Sequence, residues 1–91
     1  MKIKINGIEY IVEKDNDKII DIDLLEEMVT DYFNNYDYIF GDIAYDKLRL
    51  KGFYDSKNKN CKDYNNINSL DKYIKDNCAF NCKYFVLKKN V

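Results

Sequence analysis

The residues best suited to binding chemistry lie in one alternating run near the middle of the chain. Arg49, Lys51 and Phe53 are spaced two residues apart, so in a β-strand their side chains would share one face. Cations contact phosphates and an aromatic ring offers a stacking platform, which would suit RNA or a ribosome-associated particle. Two alternatives are a protein-binding face and a solvated sheet face on which the cationic side chains cover Phe53.

The residues just before this run predict a second part of the same surface. Tyr36 to Phe40 has strong β-propensity, Gly41 and Asp42 interrupt it, and the strand pattern resumes at Tyr45. We therefore expect a connection from Gly41 to Tyr45 beside the Arg49/Lys51/Phe53 face. In a protein interface the anchors would be the large aromatic side chains Tyr38, Tyr45 or Phe53. The predicted binding residues are Asp42, Tyr45, Lys47, Arg49, Lys51 and Phe53.

Three cysteines offer two further kinds of chemistry. Cys78 and Cys82 form a C-x3-C pair, which could be half of a zinc site with Cys61 as a third ligand, or a redox pair. Structural zinc takes four ligands, usually Cys or His, and the chain has no His. The common redox motif has two residues between its cysteines, not three. The favoured interpretation is that the cysteines are small buried side chains, and no metal or cofactor is predicted.

No recognisable set of catalytic residues stands out. A nucleophile would lack a His base, and Gly7, Gly41 and Gly52 are too scattered to form a phosphate-binding loop. The acidic cluster from Asp15 to Asp23 lacks the glycine and the glutamate of a calcium-binding loop. These observations do not favour an enzyme, and no small-molecule substrate is evident.

Composition predicts a small cytoplasmic domain. The chain of 91 residues fits one domain, residues 1–91, with a net charge of −1. No apolar run approaches the roughly 20 residues that span a bilayer, and the odd number of cysteines argues against a disulfide framework. The charge is unevenly distributed: residues 46–62 hold six basic residues against two acidic, and residues 13–42 hold ten acidic against two basic.

The hydrophobic pattern predicts an α+β fold. Residues 1–13 read as a hairpin with an Asn6-Gly7 type I′ turn, in which Ile5 faces Ile8. A first helix is expected from about Leu24 to Asn34 with Asp21 or Asp23 as its cap, and a second helix from near Leu70. With a short strand at residues 61–64 and a last strand at residues 83–88, the order is ββαββ(β)αβ. We expect a single antiparallel sheet of about five strands, covered by the first helix on one face.

Two segments of the chain resemble the YutD-like family of small bacterial proteins. The family pattern reads Tyr-Asp-Tyr-Ile-Val-Gly-Asp-Trp-Gly-Tyr, then Leu-Arg-Leu-Lys-Gly-Phe-Tyr, and closes with Cys-x-Phe-Gly-Cys-x-Tyr-Phe-Val-Leu-Lys. Tyr36 to Tyr54 and Cys78 to Lys88 match most of it. Ile43-Ala44 stands at the Trp-Gly position, and Asn81 replaces the last glycine. The resemblance implies a bacterial cytosolic α+β protein and marks Asp42, Arg49 and the Cys pair as positions of interest, but it implies no catalytic role.

Together these observations predict a small, non-catalytic, cytosolic binding module. It would engage a protein or an assembly through the Arg49/Lys51/Phe53 face and the 41–45 connection. One alternative is an RNA-binding or ribosome-associated protein that uses the same face. A further alternative is a metal- or thiol-dependent protein that uses Cys78 and Cys82.

Overall fold

Five strands form one antiparallel sheet in the computed structural model, which describes residues 1–77 and 82–90. Across the sheet the order is β1-β2-β5-β3-β4, so two hairpins flank the strand that comes last in the chain. This confirms the predicted α+β class with about five strands and two helices. The strands are β1 (Lys2–Ile5), β2 (Ile8–Lys14), β3 (Tyr38–Ala44), β4 (Lys47–Phe53) and β5 (Tyr84–Lys89).

The β1–β2 hairpin has the predicted register. Ile5 pairs with Ile8 across a two-residue turn in which Asn6 and Gly7 both have positive φ, 51° and 84°. A type I′ turn requires this conformation at both positions, and Asn-Gly adopts it at low cost. The Asn6 side chain also donates hydrogen bonds to two backbone carbonyls, of Glu26 (3.0 Å) and Val29 (2.9 Å). The turn is thereby joined to the end of the first helix.

The first helix, α1 (Ile22–Met28), is shorter than predicted. Of the two predicted caps, Asp21 is the one used, because its carboxylate accepts a hydrogen bond from the Leu24 N–H. Val29 has extended backbone angles and ends the helix, and the chain then continues as a 3₁₀ helix over Asp31–Asn35. The apolar spacing continues through this break, since Val29 and Phe33 are still buried. Periodicity alone therefore could not locate the end.

The second helix, α2 (Leu70–Asn77), covers the face of the sheet opposite α1. The sequence predicted cover on one face only. The expected short strand at Cys61–Tyr64 is wrong, because residues 63–65 form a 3₁₀ turn. Strand-like pairing occurs instead as one parallel bridge between Tyr54 and Asn66, just before α2.

The sheet separates two apolar cores. The larger core lies under α1 and joins Leu25, Val29 and Phe33 to the inner face of all five strands. The smaller core lies under α2, where Phe40, Phe53 and Val86 pack against Leu70, Tyr73 and Ile74 on the helix. The β3–β4 hairpin therefore has both of its faces packed along part of its length, which holds its tip in a fixed direction.

Candidate interaction site at the tip of the third and fourth strands

The β3–β4 hairpin places an ion pair directly across its two strands. Asp42 and Arg49 are register partners, and the guanidinium contacts the carboxylate twice, Nε to Oδ1 at 3.0 Å and one terminal nitrogen to Oδ2 at 2.5 Å. The side chain of Asp42 is 2% exposed and that of Arg49 is 48% exposed. A buried carboxylate needs such a partner, and two parallel contacts are the geometry that only arginine supplies.

Arg49 also reaches the end of α2. A terminal guanidinium nitrogen donates a hydrogen bond of 3.4 Å to the backbone carbonyl of Asn77, the last residue of that helix. The last carbonyls of a helix have no partner within the helix, so a cation there satisfies one of them and meets the negative end of the helix dipole. One side chain thus joins β3, β4 and α2 at the base of the hairpin tip.

The tip itself is a turn at Tyr45 and Asp46, further along the chain than the predicted interruption at Gly41-Asp42. Both residues have positive φ, 52° and 62°, as a two-residue hairpin turn requires. Gly41 and Asp42 lie inside β3 and do not interrupt it. The residue at position 41 is glycine because an added Cβ would lie 2.2 Å from the ring of Phe85, and only glycine fits beneath that ring. The Tyr45 side chain is 100% exposed.

A cavity of about 350 Å³ lies on the Asp42 side of the tip. It is bounded by the ion pair, the tip and the end of α2, and Cys82 also contributes to its wall. Its size would admit one side chain of a partner. The lining residues are Asp42, Ile43, Ala44, Tyr45, Arg49, Asn77 and Cys82.

The structure corrects the predicted Arg49/Lys51/Phe53 face. Phe53 is 0% exposed because it packs under α2, in edge contact with the ring of Tyr73, so it cannot serve as an exposed stacking platform. The Lys51 ammonium lies 5.3 Å from the Phe53 ring centre and 5.4 Å from that of Tyr73. The side chains do share one side of β4, as predicted, but α2 covers that side. Of the six predicted binding residues, Tyr45, Lys47 and Arg49 are exposed, and the other three are buried or half-buried.

The described cysteines lie far apart. Cys61 belongs to the loop that Asn58 ties to Asp37, whereas Cys82 lines the cavity beside Asp42. These are opposite ends of β3, about 15–20 Å apart at ~3.3 Å per residue. Cys78 falls outside the described residues. Within residues 1–77 and 82–90, no three Cys, His, Asp or Glu side chains are grouped to hold a metal ion.

A tyrosine cluster at the other end of β4 was not predicted from the sequence. Tyr36 stacks on Tyr54 with ring centres 4.7 Å apart, and its hydroxyl lies 3.0 Å from that of Tyr32. This hydrogen bond, together with burial, raises the pKa of Tyr36 to about 12. Tyr36 follows Tyr32 by 4 positions and Tyr54 follows Tyr36 by 18. Only the four-residue spacing could have indicated a contact, and it is the spacing of two neighbours on one face of a helix.

Comparisons with known proteins identify the family. The family model described as "Putative antitoxin YutD-like" matches residues 4–88, and the chain belongs to this family. The chain is 50% identical over 60 residues to "Putative antitoxin YutD" from Bacillus subtilis (strain 168), a match that spans 66% of each protein. It is also similar to the solution NMR structure of protein yutD from B. subtilis, with 37% identity and a TM-score of 0.78 over 99% of this chain and 82% of that one.

Across residues 1–77 and 82–90, neither helix has the length and apolar character needed to cross a membrane.

Proposed function

We propose that this protein is a protein-binding module of the antitoxin type, acts in the bacterial cytoplasm, and engages a partner protein through the tip of the β3–β4 hairpin. The class is supported by the family description and by the B. subtilis relative, both of which are called putative antitoxins. The surface is our inference from the geometry. It keeps the predicted residues Tyr45, Lys47 and Arg49 and gives Lys51 and Phe53 a structural role.

The observation that carries the proposal is the conformation of Tyr45. A bulky residue with φ near 52° is strained, and strain of this kind is found mostly at functional sites. The same chain uses Asn6-Gly7, a far better pair, at the turn of its other hairpin. A fully exposed tyrosine in such a turn contributes nothing to the core, whereas tyrosine is a preferred anchor of protein interfaces.

The braced base of the hairpin supports this role. The Asp42–Arg49 pair and the bond from Arg49 to Asn77 join the two strands of the hairpin to each other and to the end of α2, close to the Tyr45 turn. A rigid tip loses little conformational entropy on binding, which favours affinity. The RNA-binding alternative is supported less well, because Phe53 is buried and offers no exposed ring on which a base could stack.

The proposal is tested by affinity capture from a lysate of the native host, with and without ribonuclease. Wild-type protein should retain a discrete partner protein in both samples. Tyr45→Asn should lose that partner yet melt at a higher temperature, because asparagine tolerates the left-handed conformation far better than tyrosine does. Stability and binding would then change in opposite directions, which separates the loss of an anchor from unfolding.

A matched control is Tyr64→Ala. Tyr64 is also highly exposed, at 71%, but it lies in the 3₁₀ turn near Tyr54, at the opposite end of β4. This variant should retain the partner as well as wild type does. Equal loss in both variants, or loss of the captured material after ribonuclease treatment, would contradict the proposed surface.

A further inference from the structure

Strand β4 forms an edge of the sheet, and its outward backbone groups can be identified from the turn. In a two-residue hairpin the residues that flank the turn, Ala44 and Lys47, form a hydrogen-bonded pair. Every second residue of β4 then directs its N–H and C=O toward β3, which leaves those of Leu48, Leu50 and Gly52 directed away from the sheet. Strand β3 shows the same alternation: Ile43, which lies opposite Leu48, directs its N–H away from β4 and donates it to the Lys83 carbonyl on the β5 side.

One end of this edge is already used for strand pairing. The Tyr54 N–H donates to the Asn65 carbonyl at 2.7 Å, and the Tyr54 carbonyl accepts from the Ile67 N–H at 2.9 Å. This parallel contact ends where the chain turns into the 3₁₀ helix Ile67–Ser69. Within the part of the chain that the structure describes, no strand lies beyond β4 from Lys47 to Leu50, the part nearest the Tyr45 tip.

The side chains along the open edge define what could pair there. On the α1 side, Leu48 and Leu50 are half-buried and still offer apolar surface. On the α2 side, the edge carries Lys47, Arg49 and Lys51. A second copy of β4 fits poorly, because antiparallel pairing about Leu50 would place Arg49 opposite Lys51. Such like-charge contacts are a common protection of edge strands against self-association.

We infer that the partner binds by adding an extended segment to the β4 edge, with apolar residues beside Leu48 and Leu50 alternating with acidic residues beside the exposed side chains of Lys47 and Arg49. Main-chain hydrogen bonds supply affinity in this mode, and alternate side chains supply specificity. This inference rests on the proposed function, since the added segment belongs to the partner that Tyr45 anchors. It also explains how a single exposed tyrosine can belong to a larger contact.

The test uses an acetylated and amidated eight-residue peptide of alternating valine and glutamate, titrated into the isotope-labelled wild-type protein. The amide signals of Leu48 and Leu50 should shift, and their hydrogen exchange should slow at least about tenfold on saturation, as expected for newly hydrogen-bonded groups. The amides of Arg49 and Lys51, which already face β3, should change little. An alternating valine and lysine peptide should not bind.

Two N-methylated forms of the valine–glutamate peptide give a matched control. One form carries methyl groups on the amides of all valines and the other on those of all glutamates. Only one of the two alternating sets of N–H groups can face β4, so one form should lose binding and the other should keep it. Equal binding of both forms, binding of the lysine peptide, or unchanged Leu48 and Leu50 amides would overturn the inference.

The outcome is separable from that of the proposed function. If the peptide adds to β4 but Tyr45→Asn captures the partner as well as wild type does, the β4 edge is a binding site and the Tyr45 tip is not. If capture depends on Tyr45 but the Leu48 and Leu50 amides gain no protection, the tip is a binding site and the edge is not.

Discussion

At the scale of single residues, Arg49 contributes through geometry as well as charge. It holds a buried carboxylate with two contacts and a helix carbonyl with a third. Arg49 is the only arginine in a lysine-rich chain, and its planar guanidinium makes a pair of contacts that a lysine could not make. The identity of its partner was not predictable from sequence, because Asp42 was expected in the connection from Gly41 to Tyr45.

Replacing Arg49 with alanine should destabilise the fold and weaken the Tyr45 tip. The buried Asp42 carboxylate would lose its charged partner, which costs about 1–3 kcal/mol once the partial exposure of Arg49 is considered. Urea denaturation measures the change in free energy of unfolding. Arg49→Lys should recover only part of the loss, because an ammonium cannot contact both carboxylate oxygens in the same way, and Lys47→Ala should cost under about 0.5 kcal/mol at its exposed position. A full recovery by lysine would show that charge alone is sufficient.

Tyr36 should ionise at an unusually high pH. Its pKa of about 12 derives first from the hydrogen bond with Tyr32 and then from burial. The folded pKa is above the ordinary value near 10, so the unfolded chain releases this proton first, and the free energy of unfolding should fall as pH rises from about 10 to 12. In Tyr32→Phe the Tyr36 pKa should move toward 10, as measured by NMR of labelled tyrosine ring carbons. Tyr64→Phe should move it less, because Tyr64 makes the smallest contribution.

At the scale of elements, two strand glycines lie beneath aromatic rings. A Cβ at Gly41 would lie 2.2 Å from the Phe85 ring, and one at Gly52 would lie 2.3 Å from that of Tyr36. Phe85 is fully enclosed, whereas Tyr36 is partly exposed and has room to shift. At both positions the missing side chain leaves space for a ring that packs over the sheet. The two glycines therefore do not indicate bends in the strands.

Gly41→Ala should therefore cost more stability than Gly52→Ala. Overpacking a closed core typically costs about 1–3 kcal/mol, and a neighbour that can move toward solvent reduces the cost. Thermal denaturation of the two variants gives the comparison directly, with each variant serving as the reference for the other. A larger loss at Gly52 would mean that the stacked Tyr36–Tyr54 pair is held more firmly than its exposure indicates.

The elements themselves were predicted unequally from sequence. The β1–β2 hairpin was predicted with its register, because Asn6-Gly7 is typical of a two-residue type I′ turn and a turn of that length determines which residues pair. The β3–β4 turn was misplaced, since Tyr45-Asp46 carries no such signal and Gly41 resembles a break. Phe53 was assigned to an exposed face because alternation gives the side of a strand but not which helix covers that side. Such information depends on contacts between residues far apart in the chain.

At the scale of the whole molecule, α2 decides which predicted surface remains available. By covering Phe53 and partly enclosing Lys51, it removes the middle of the expected binding face. What is left to a partner is the Tyr45 tip and the neighbouring edge of β4, which are continuous with each other. The proposed binding surface therefore depends on the packing of α2 behind it.

The position of β5 affects how this chain can fold during synthesis. Each hairpin can form from neighbouring residues as it leaves the ribosome, but the hairpins meet only through β5, the last of the five strands to be made. Until then, each hairpin has a bare edge where β5 will pair. We therefore expect cooperative folding to wait until Tyr84–Lys89 have emerged, and the incomplete chain to expose strand edges of the kind that aggregate or bind chaperones.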